Sequence, residues 1–193
     1  MTERVGAIVL AGGRSQRFGR DKLAEPIDGK PLLDHAIAAV RALTDVIVVV
    51  GARDRDPFLP DGVTLVHDAR SFEGPLVGLD GGLTAVGTAV DRVIVVGGDM
   101  PTLVPAVLGR LLASIGDDAT AAILEVDGPR AILPMALATE PAGAEVGRLV
   151  GAGERRLGAL LDDLAVHVVP QSEWRFDDPE GRTLRDVDAP SDL

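Results

Sequence analysis

Residues 5–22 read VGAIVLAGGRSQRFGRDK, and this stretch decides how the chain folds. Its first part, up to Leu10, is an apolar run that predicts a buried strand. The glycines at positions 12, 13 and 19 follow at once, and glycine lets a backbone turn tightly and bring its N–H groups close to a ligand. The stretch therefore predicts a strand followed by a phosphate-binding loop.

Positive charge is concentrated in this loop, although the chain as a whole is acidic. Arg14, Arg17, Arg20 and Lys22 stand against the single carboxylate of Asp21, whereas the formal net charge of the 193 residues is -11. A local basic site on an acidic protein favours a compact polyanion, such as a nucleoside triphosphate, over a long nucleic acid. Aromatic residues make up 3% of the chain, so platforms for stacking single-stranded nucleic acid are scarce.

The composition argues against several other classes of protein. There is no cysteine, which rules out disulfides, thiolate metal sites and a cysteine nucleophile. No apolar run approaches the roughly 20 residues of a membrane-spanning helix, and the first residues do not resemble a signal peptide. We therefore expect a cytoplasmic protein with no membrane or nucleic-acid partner, folded as a single domain over residues 1–193.

Short β-branched runs alternate with longer helix-like segments, which is typical of βαβ units. After the first strand, the pattern predicts strands at 46–50, 63–66, 92–96 and 166–169, and helices at 32–43, 76–90, 104–114 and, in two pieces, 144–164. Pro31 suits the first turn of the first helix. The runs 119–126 and 131–137 predict a hairpin or an antiparallel insertion. The predicted fold is a Rossmann-like three-layer αβα domain, with a mostly parallel sheet and a small antiparallel part.

A second candidate functional residue, Asp99, comes just after the predicted strand that ends at Val96. In an open parallel sheet, ligands bind beyond the carboxyl ends of the strands, near the point where the strand order reverses. An aspartate there can hold Mg²⁺ against phosphate oxygens, because this ion prefers a few carboxylate oxygens together with water and substrate phosphates. The plainer alternative is a turn or helix-capping aspartate before Pro101.

Asp68 and the turn Gly74-Pro75-Leu76 are further candidates. Asp68 follows the predicted third strand, and the turn precedes a predicted helix, where backbone N–H groups can face an anion. The alternative for Asp68 is an ordinary loop carboxylate. The three histidines have no second ligand at helical spacing and are predicted to be structural or exposed. Trp174 is predicted to anchor the tail by packing.

Other nucleotide-binding and hydrolase motifs do not match this sequence. Gly19 is followed by Arg-Asp-Lys, where a Walker A loop has Lys-Ser or Lys-Thr, and the glycine spacing differs from G-x-G-x-x-G. Residues 51–53 offer no acidic side chain for a ribose, which argues against an NAD-dependent oxidoreductase. No G-x-S-x-G nucleophile turn supports a covalent hydrolase.

Several separated motifs agree with one another. They are Leu10-Ala11-Gly12-Gly13 with Arg17 and Lys22, Gly29-Lys30-Pro31-Leu32, Gly74-Pro75-Leu76-Val77-Gly78, Gly98-Asp99-Met100-Pro101, Gly153-Glu154-Arg155-Arg156-Leu157 and residues 186–193. Together they resemble the molybdenum cofactor guanylyltransferases of the nucleotidyltransferase superfamily, over nearly the whole chain. The resemblance implies the fold of the nucleotide-diphospho-sugar transferases. It also implies transfer of GMP from GTP to the phosphate of molybdopterin, with Mg²⁺ as cofactor and proteins of molybdenum cofactor biosynthesis as partners.

The resemblance also implies roles for individual residues. Arg17, Lys22 and Asp99 would be catalytic, with Asp99 as the metal ligand. The nucleotide would be bound by Leu10, Ala11, Gly12, Gly13, Lys22, Asp68, Gly74, Pro75, Leu76 and Asp99. The pair Gly12-Gly13 counts toward GTP, because the related cytidylyltransferases commonly carry Ala-Gly there.

The sequence departs from the family pattern at three places. No asparagine follows the second strand, around Gly51; Asp186 and Asp188 replace two asparagines near the C-terminus; and Met100 replaces a threonine beside Asp99. The two tail aspartates could add metal ligands. The alternatives are a CTP:molybdopterin cytidylyltransferase, a transferase from another NTP to a small phosphate, and a nucleotide-binding module without turnover.

Overall fold

A seven-stranded sheet forms the middle layer of the protein. The structure is a computed structural model, and it describes residues 3–12, 22–52, 59–67, 74–128 and 130–192. In chain order the strands are β1 (Val5–Leu10), β2 (Pro26–Ile27), β3 (Lys30–Pro31), β4 (Ile47–Gly51), β5 (Val63–His67), β6 (Arg92–Gly97), β7 (Ala121–Leu124), β8 (Met135–Ala138) and β9 (Val166–Val169).

The large sheet has the order β5-β4-β1-β6-β8-β7-β9, and β2 and β3 form a separate antiparallel pair. Strands β5, β4, β1 and β6 are parallel, whereas β8 runs antiparallel to both of its neighbours. The chain moves from β1 to β4 and β5 on one side, then crosses to β6 on the other. The strand order therefore reverses between β1 and β6. The predicted mostly parallel fold is confirmed, and the two runs predicted as an antiparallel insertion are β7 and β8.

Helices cover both faces of the sheet. They are α1 (Leu32–Arg41), α2 (Pro75–Val86), α3 (Pro105–Ala113), α4 (Thr139–Gly151), α5 (Leu157–Asp163) and α6 (Gln171–Trp174). Successive strand residues point to opposite faces. Accordingly, Val9 packs in the core that includes α1 and α3, whereas Ile8 packs in the core that includes α2, α4 and α5. No helix in the described ranges is long and apolar enough to cross a membrane.

Several predicted boundaries differ from the structure. The largest difference at a helix start is in α4, which begins at Thr139 rather than at 144. Pro31 lies in β3 and directly precedes α1, whose first residue is Leu32, because its fixed φ of -51° suits the extended end of the hairpin. Helix α2 ends at Val86, and a short 3₁₀ turn follows, since Gly87 takes a φ of +52° that ends the α-helix.

The C-terminal tail returns across the molecule to the ends of β1 and β6. Trp174 is fully buried, and its indole N–H donates to the carbonyl of Glu125 at 3.0 Å, which confirms the predicted packing anchor. Further along, Val187 is buried against Leu32, and its N–H donates to the carbonyl of Asp99 at 2.9 Å. The tail thereby reaches the region where the sequence predicts ligand binding.

Candidate active site

The site is built where the strand order reverses, at the carboxyl ends of β1 and β6. The N–H of Gly98 donates to the carbonyl of Leu10 at 2.9 Å, and the N–H of Ala11 donates to the carbonyl of Val50 at 2.8 Å. Gly12 follows as an exposed residue. These bonds hold the start of the glycine loop beside the segment that carries Asp99.

The backbone around Asp99 needs a glycine to place this side chain. A Cβ at Gly97 would lie 2.5 Å from Asp99 Oδ1, which is closer than a real Cβ approaches a neighbouring atom. The neighbouring Met100 is buried, and its sulfur accepts a hydrogen bond from the N–H of Gly97 at 3.4 Å. Met100 therefore serves the core at the position where the family pattern has a threonine.

Lys22 and Asp99 form a charged hydrogen bond across 77 positions of sequence. Lys22 belongs to a single 3₁₀ turn, Lys22–Ala24, and its Nζ lies 2.7 Å from Asp99 Oδ2. The side chains are 17% and 29% exposed, so water reaches the pair without surrounding it. Hydrogen bonds between two ionised groups are shorter and stronger than neutral ones. The two residues that the sequence assigns to phosphate and to metal thus contact each other.

The C-terminal tail supplies two more acceptors for the same ammonium group. Lys22 Nζ donates to the carbonyl of Val187 at 3.0 Å and lies 3.4 Å from Asp188 Oδ1. The carboxylate of Asp192 accepts from the N–H groups of Asp188 and Ala189, at 3.0 and 2.8 Å, and orders this part of the tail. Sequence reasoning identified Asp188 but missed Val187, because a carbonyl contact has no side-chain signature.

Negative charge accumulates around this lysine. Burial opposes the charged form of Lys22, but the hydrogen bonds and charges of Asp99 and Asp188 outweigh it and raise the pKa of Lys22. Burial, followed by the carboxylates of Asp188 and Asp99, raises the pKa of Asp186. The carboxylates of Asp99, Asp186 and Asp188 are therefore close enough to repel one another, and this region attracts cations.

These aspartates do not complete a metal site by themselves. Within the described ranges, no three His, Cys, Asp or Glu side chains come together so that they could hold a metal ion. Magnesium usually binds through one or two carboxylates and takes its remaining oxygens from water and substrate phosphates. The hard oxygen donors of Asp99 and Asp186 fit that pattern, in which a nucleotide would supply the missing ligands.

The turn Gly74-Pro75-Leu76 is joined to the connection between α4 and α5. Gly74 has a φ of +112°, and a Cβ there would lie 2.8 Å from the carbonyl oxygen of Arg155. The same carbonyl accepts from the N–H of Leu76 at 3.2 Å. Because Pro75 has no N–H and that of Leu76 is already bonded to protein, a nucleotide would have to meet other groups of this turn.

A cleft of about 650 Å³ opens beside Asp99 and extends toward this connection. Its lining combines the carboxylates of Asp99 and Asp186 with Arg155, Arg156 and the apolar side chains of Ile132, Leu133 and Leu157. The lining can therefore offer positive charge and an apolar wall to one ligand.

Glu154 fixes the backbone of the two arginines that line this cleft. Its carboxylate accepts from the N–H groups of Arg155 and Arg156 at 2.7 and 3.0 Å, and from Arg156 Nη2 at 2.8 Å. The side chain of Arg156, followed by these two backbone donors, lowers the pKa of Glu154 to about 2. Glu154 therefore stays ionised and holds this arginine segment at neutral pH.

Some predicted residues lie outside the described part of the chain, namely Gly13, Arg14, Arg17, Gly19, Arg20 and Asp68. The histidines behave as predicted. His35 Nε2 is 2.8 Å from the carbonyl of Ile27, and His67 and His167 are exposed.

Comparison with known proteins points to one family. A model of the MobA-like NTP transferase domain matches residues 7–173. A protein of Chloroflexus aggregans, named as a probable molybdenum cofactor guanylyltransferase, is 35% identical and covers 98% of this chain and 91% of its own length. A molybdenum cofactor guanylyltransferase of a Shewanella species is 32% identical over 81% of this chain and 80% of its own.

Solved structures share the fold. Molybdopterin-guanine dinucleotide biosynthesis protein A from Archaeoglobus fulgidus superposes with a TM-score of 0.76 at 24% identity, covering 97% of this chain and 94% of its own. The 4-diphosphocytidyl-2C-methyl-D-erythritol synthase from Anaerococcus prevotii superposes with a TM-score of 0.71 at 14% identity, covering 98% of this chain and 92% of its own. At 24% and 14% sequence identity, these two superpositions show a shared fold.

Proposed function

The chain belongs to the MobA-like NTP transferase family, and we propose that it transfers GMP from GTP to the phosphate of molybdopterin, releasing pyrophosphate. The names of the curated relatives support GTP and a molybdopterin acceptor. The observation that carries the proposal is the contact of Lys22 with Asp99 at the reversal of strand order, beside a cleft that contains two arginines. This arrangement places a cation and a carboxylate where an open parallel sheet binds its ligands.

In this reaction, an oxygen of the acceptor phosphate attacks the α-phosphorus of GTP. A new phosphorus–oxygen bond forms, and the bond from the α-phosphorus to the bridging oxygen of the β-phosphate breaks, so that pyrophosphate leaves with both electrons of that bond. The acceptor phosphate is already anionic, and no general base is needed. Catalysis then depends on alignment and on neutralising charge in the transition state.

Residues on both sides of the site would align the substrates and neutralise this charge. The start of the glycine loop, Leu10 to Gly12, would hold the triphosphate together with Gly13. Asp68 would contact the nucleotide away from its phosphates. Lys22 and Arg17 would offset the charge that develops on the leaving pyrophosphate. Asp99, with Asp186 beside it, would hold Mg²⁺, which when bound neutralises phosphate charge.

The cleft of about 650 Å³ would receive the acceptor. Arg156 bonds Glu154 through Nε and Nη2, and it would meet the acceptor phosphate with the other edge of its guanidinium group. The apolar side chains of Ile132 and Leu157 would pack against the ring system of the acceptor. Since the cleft also contains Asp99, an acceptor phosphate in it lies next to the proposed nucleotide site.

The experiment uses GTP labelled at either the α- or the γ-phosphate, with molybdopterin and Mg²⁺. Label from the α-phosphate should appear in a dinucleotide product, and label from the γ-phosphate in pyrophosphate. CTP, ATP and UTP are run in parallel, and omission of Mg²⁺ should stop the reaction. Preferential transfer of CMP would replace the guanylyl proposal with a cytidylyl one, and binding without transfer would replace it with a nucleotide-binding module.

A further inference from the structure

Lys22 and Asp99 are assigned to different ligands, yet the structure pairs them with each other. We propose that the Lys22 ammonium is the resident counter-ion of Asp99 and keeps divalent metal away from this carboxylate until a nucleoside triphosphate draws the lysine off. The inference rests on the proposed function, in which Asp99 meets Mg²⁺ and Lys22 meets a phosphate.

The geometry makes the two cations competitors. Lys22 Nζ lies 2.7 Å from Asp99 Oδ2, so it occupies one of the two carboxylate oxygens that a metal ion could use. A magnesium ion bonds to carboxylate oxygen at about 2.1 Å, so an ion and the ammonium on the same carboxylate would be within a few ångströms of each other. Like charges at that separation repel strongly in a partly buried site. Binding of the metal to Asp99 therefore requires Lys22 to move or weakens its hydrogen bond.

The tail holds the lysine in its resting place. The carbonyl of Val187 and the carboxylate of Asp188 contact the same Nζ, at 3.0 and 3.4 Å. Val187 is 2% exposed, and its N–H is bonded to the carbonyl of Asp99 at 2.9 Å. Tail and Asp99 are thus fixed relative to each other, and Lys22 bridges them.

A triphosphate gives Lys22 a stronger alternative partner. Its several anionic oxygens attract an ammonium more than one carboxylate does, and they also supply the oxygens that a magnesium ion needs. When Lys22 turns to the phosphate, Asp99 becomes available to the ion that arrives with the nucleotide. Metal and nucleotide should therefore strengthen each other's binding by the same factor.

The test measures binding of Mn²⁺ alone, from the electron paramagnetic resonance signal of the free ion, without nucleotide or acceptor. Lys22→Met should bind Mn²⁺ about tenfold more tightly than the unaltered protein, since hydrogen bonds to charged groups have about this effect on an equilibrium constant. Lys22→Arg keeps the charge and should bind as weakly as the unaltered protein. Lys30→Met removes the chain's other lysine, with the same change in net charge, and should have no effect.

Two results would overturn the proposal. One is an equal affinity for Mn²⁺ in the unaltered protein and in Lys22→Met, provided that circular dichroism shows the variant to be folded. The other is a gain that survives in the double variant Lys22→Met, Asp99→Asn, because the ion would then be bound elsewhere.

A second arm uses the unaltered protein and does not depend on the stability of any variant. Mn²⁺ binding is repeated with a GTP analogue that cannot be cleaved between the α- and β-phosphates. The proposal expects at least about tenfold tighter binding of the ion with the analogue than without it, and no coupling would contradict it. Failure of GMP transfer would refute the proposed function. The comparison of Mn²⁺ affinity between the unaltered protein and Lys22→Met, made without nucleotide, would still test the role of Lys22 as counter-ion.

Discussion

Strand β6 has an ion-paired aspartate near each end, and the two pairs differ in their surroundings. At its start, Asp91 Oδ1 lies 2.9 Å from Arg4 Nη2, and these side chains are 46% and 59% exposed. At its end, Asp99 pairs with Lys22, and these side chains are 29% and 17% exposed. The N–H of Asp91 also donates to the carbonyl of Arg4, and the N–H of Arg4 donates to Asp91 Oδ2, which ties the start of β1 to the start of β6. The first pair serves the sheet, whereas the second joins two loops and the tail.

Each pair borders a cleft, and the larger cleft has the less suitable charge. The cleft beside Arg4 and Asp91 measures about 780 Å³, and its described lining also includes Asp80 and Glu140. The cleft beside Asp99 measures about 650 Å³ and contains Arg155 and Arg156. Carboxylates repel a phosphate ligand, while arginines bind it. Among the described lining residues, the cleft beside Asp99 has two arginines against two carboxylates, whereas the larger cleft has one arginine against three carboxylates. This balance of charge, rather than the volume of a cleft, therefore favours the cleft beside Asp99 as the phosphate-binding one.

The largest expected effect is a loss of activity when the Lys22–Asp99 pair is broken, whereas breaking the Arg4–Asp91 pair should leave the activity nearly unchanged. Lys22→Ala and Asp99→Ala should each lower kcat/KM for GMP transfer by about 100-fold or more, because each removes charge stabilisation from the transition state. Arg4→Ala should leave kcat/KM within about twofold, since it breaks an exposed pair away from the site. Steady-state pyrophosphate release measures all three. An equal loss of activity in Arg4→Ala and Lys22→Ala would contradict the different roles of the two ion pairs.

The next prediction compares two glycines with positive φ. Gly74→Ala should lower the free energy of unfolding by about 1–3 kcal/mol, because it combines backbone strain with a clash against the carbonyl of Arg155. Gly128 has a φ of +97°, and a Cβ added there would meet nothing within 4 Å, so Gly128→Ala should cost about 1 kcal/mol. Urea denaturation measures both. Equal losses would mean that the contact with Arg155 adds no constraint.

A smaller effect is expected for Arg156, the arginine that we propose to meet the acceptor phosphate. Arg156→Ala should raise KM for molybdopterin by about tenfold and leave KM for GTP unchanged, since the acceptor loses a hydrogen-bonded charge contact. The ion pair with Glu154 is lost as well, but the backbone N–H groups of residues 155 and 156 keep their bonds to that carboxylate. Arg148→Ala is the matched control, because Arg148 pairs with Asp163 at 2.7 Å on the surface of α4. A rise in KM for GTP instead would assign Arg156 to the nucleotide.

The smallest effect concerns pH. The pKa of Glu154 is lowered from 4.5 to about 2, so its carboxylate stabilises the fold fully above pH 4.5 and loses this contribution as the pH falls toward 2. Glu154→Gln should therefore be less stable than the unaltered protein at pH 7, and the difference should shrink as the pH falls below 4.5. Urea denaturation from pH 7 to pH 3 measures this difference, and a constant gap would contradict the assignment.

The sheet could be predicted because its strands are short, apolar and β-branched, as at Val93 to Val96. Lys22 and Asp99 could be identified one at a time, since each follows a strand with a recognisable motif. Their mutual contact could not be predicted, because it joins positions 77 residues apart through loop geometry. The same holds for the carbonyl of Val187 and for the contact of Gly74 with Arg155, which depend on backbone atoms that every residue has.

We expect the nucleotide to bind at the Lys22–Asp99 edge and Lys22 to exchange its partner there. The most direct measurement is a crystal structure of the protein with the uncleavable GTP analogue and Mn²⁺, with the ion located by its anomalous scattering. We expect the triphosphate at the glycine loop, Mn²⁺ on Asp99, and Lys22 on a phosphate oxygen. A nucleotide in the cleft beside Arg4 and Asp91, or a bound triphosphate with Lys22 still on Asp99 and the ion elsewhere, would contradict this exchange of partners.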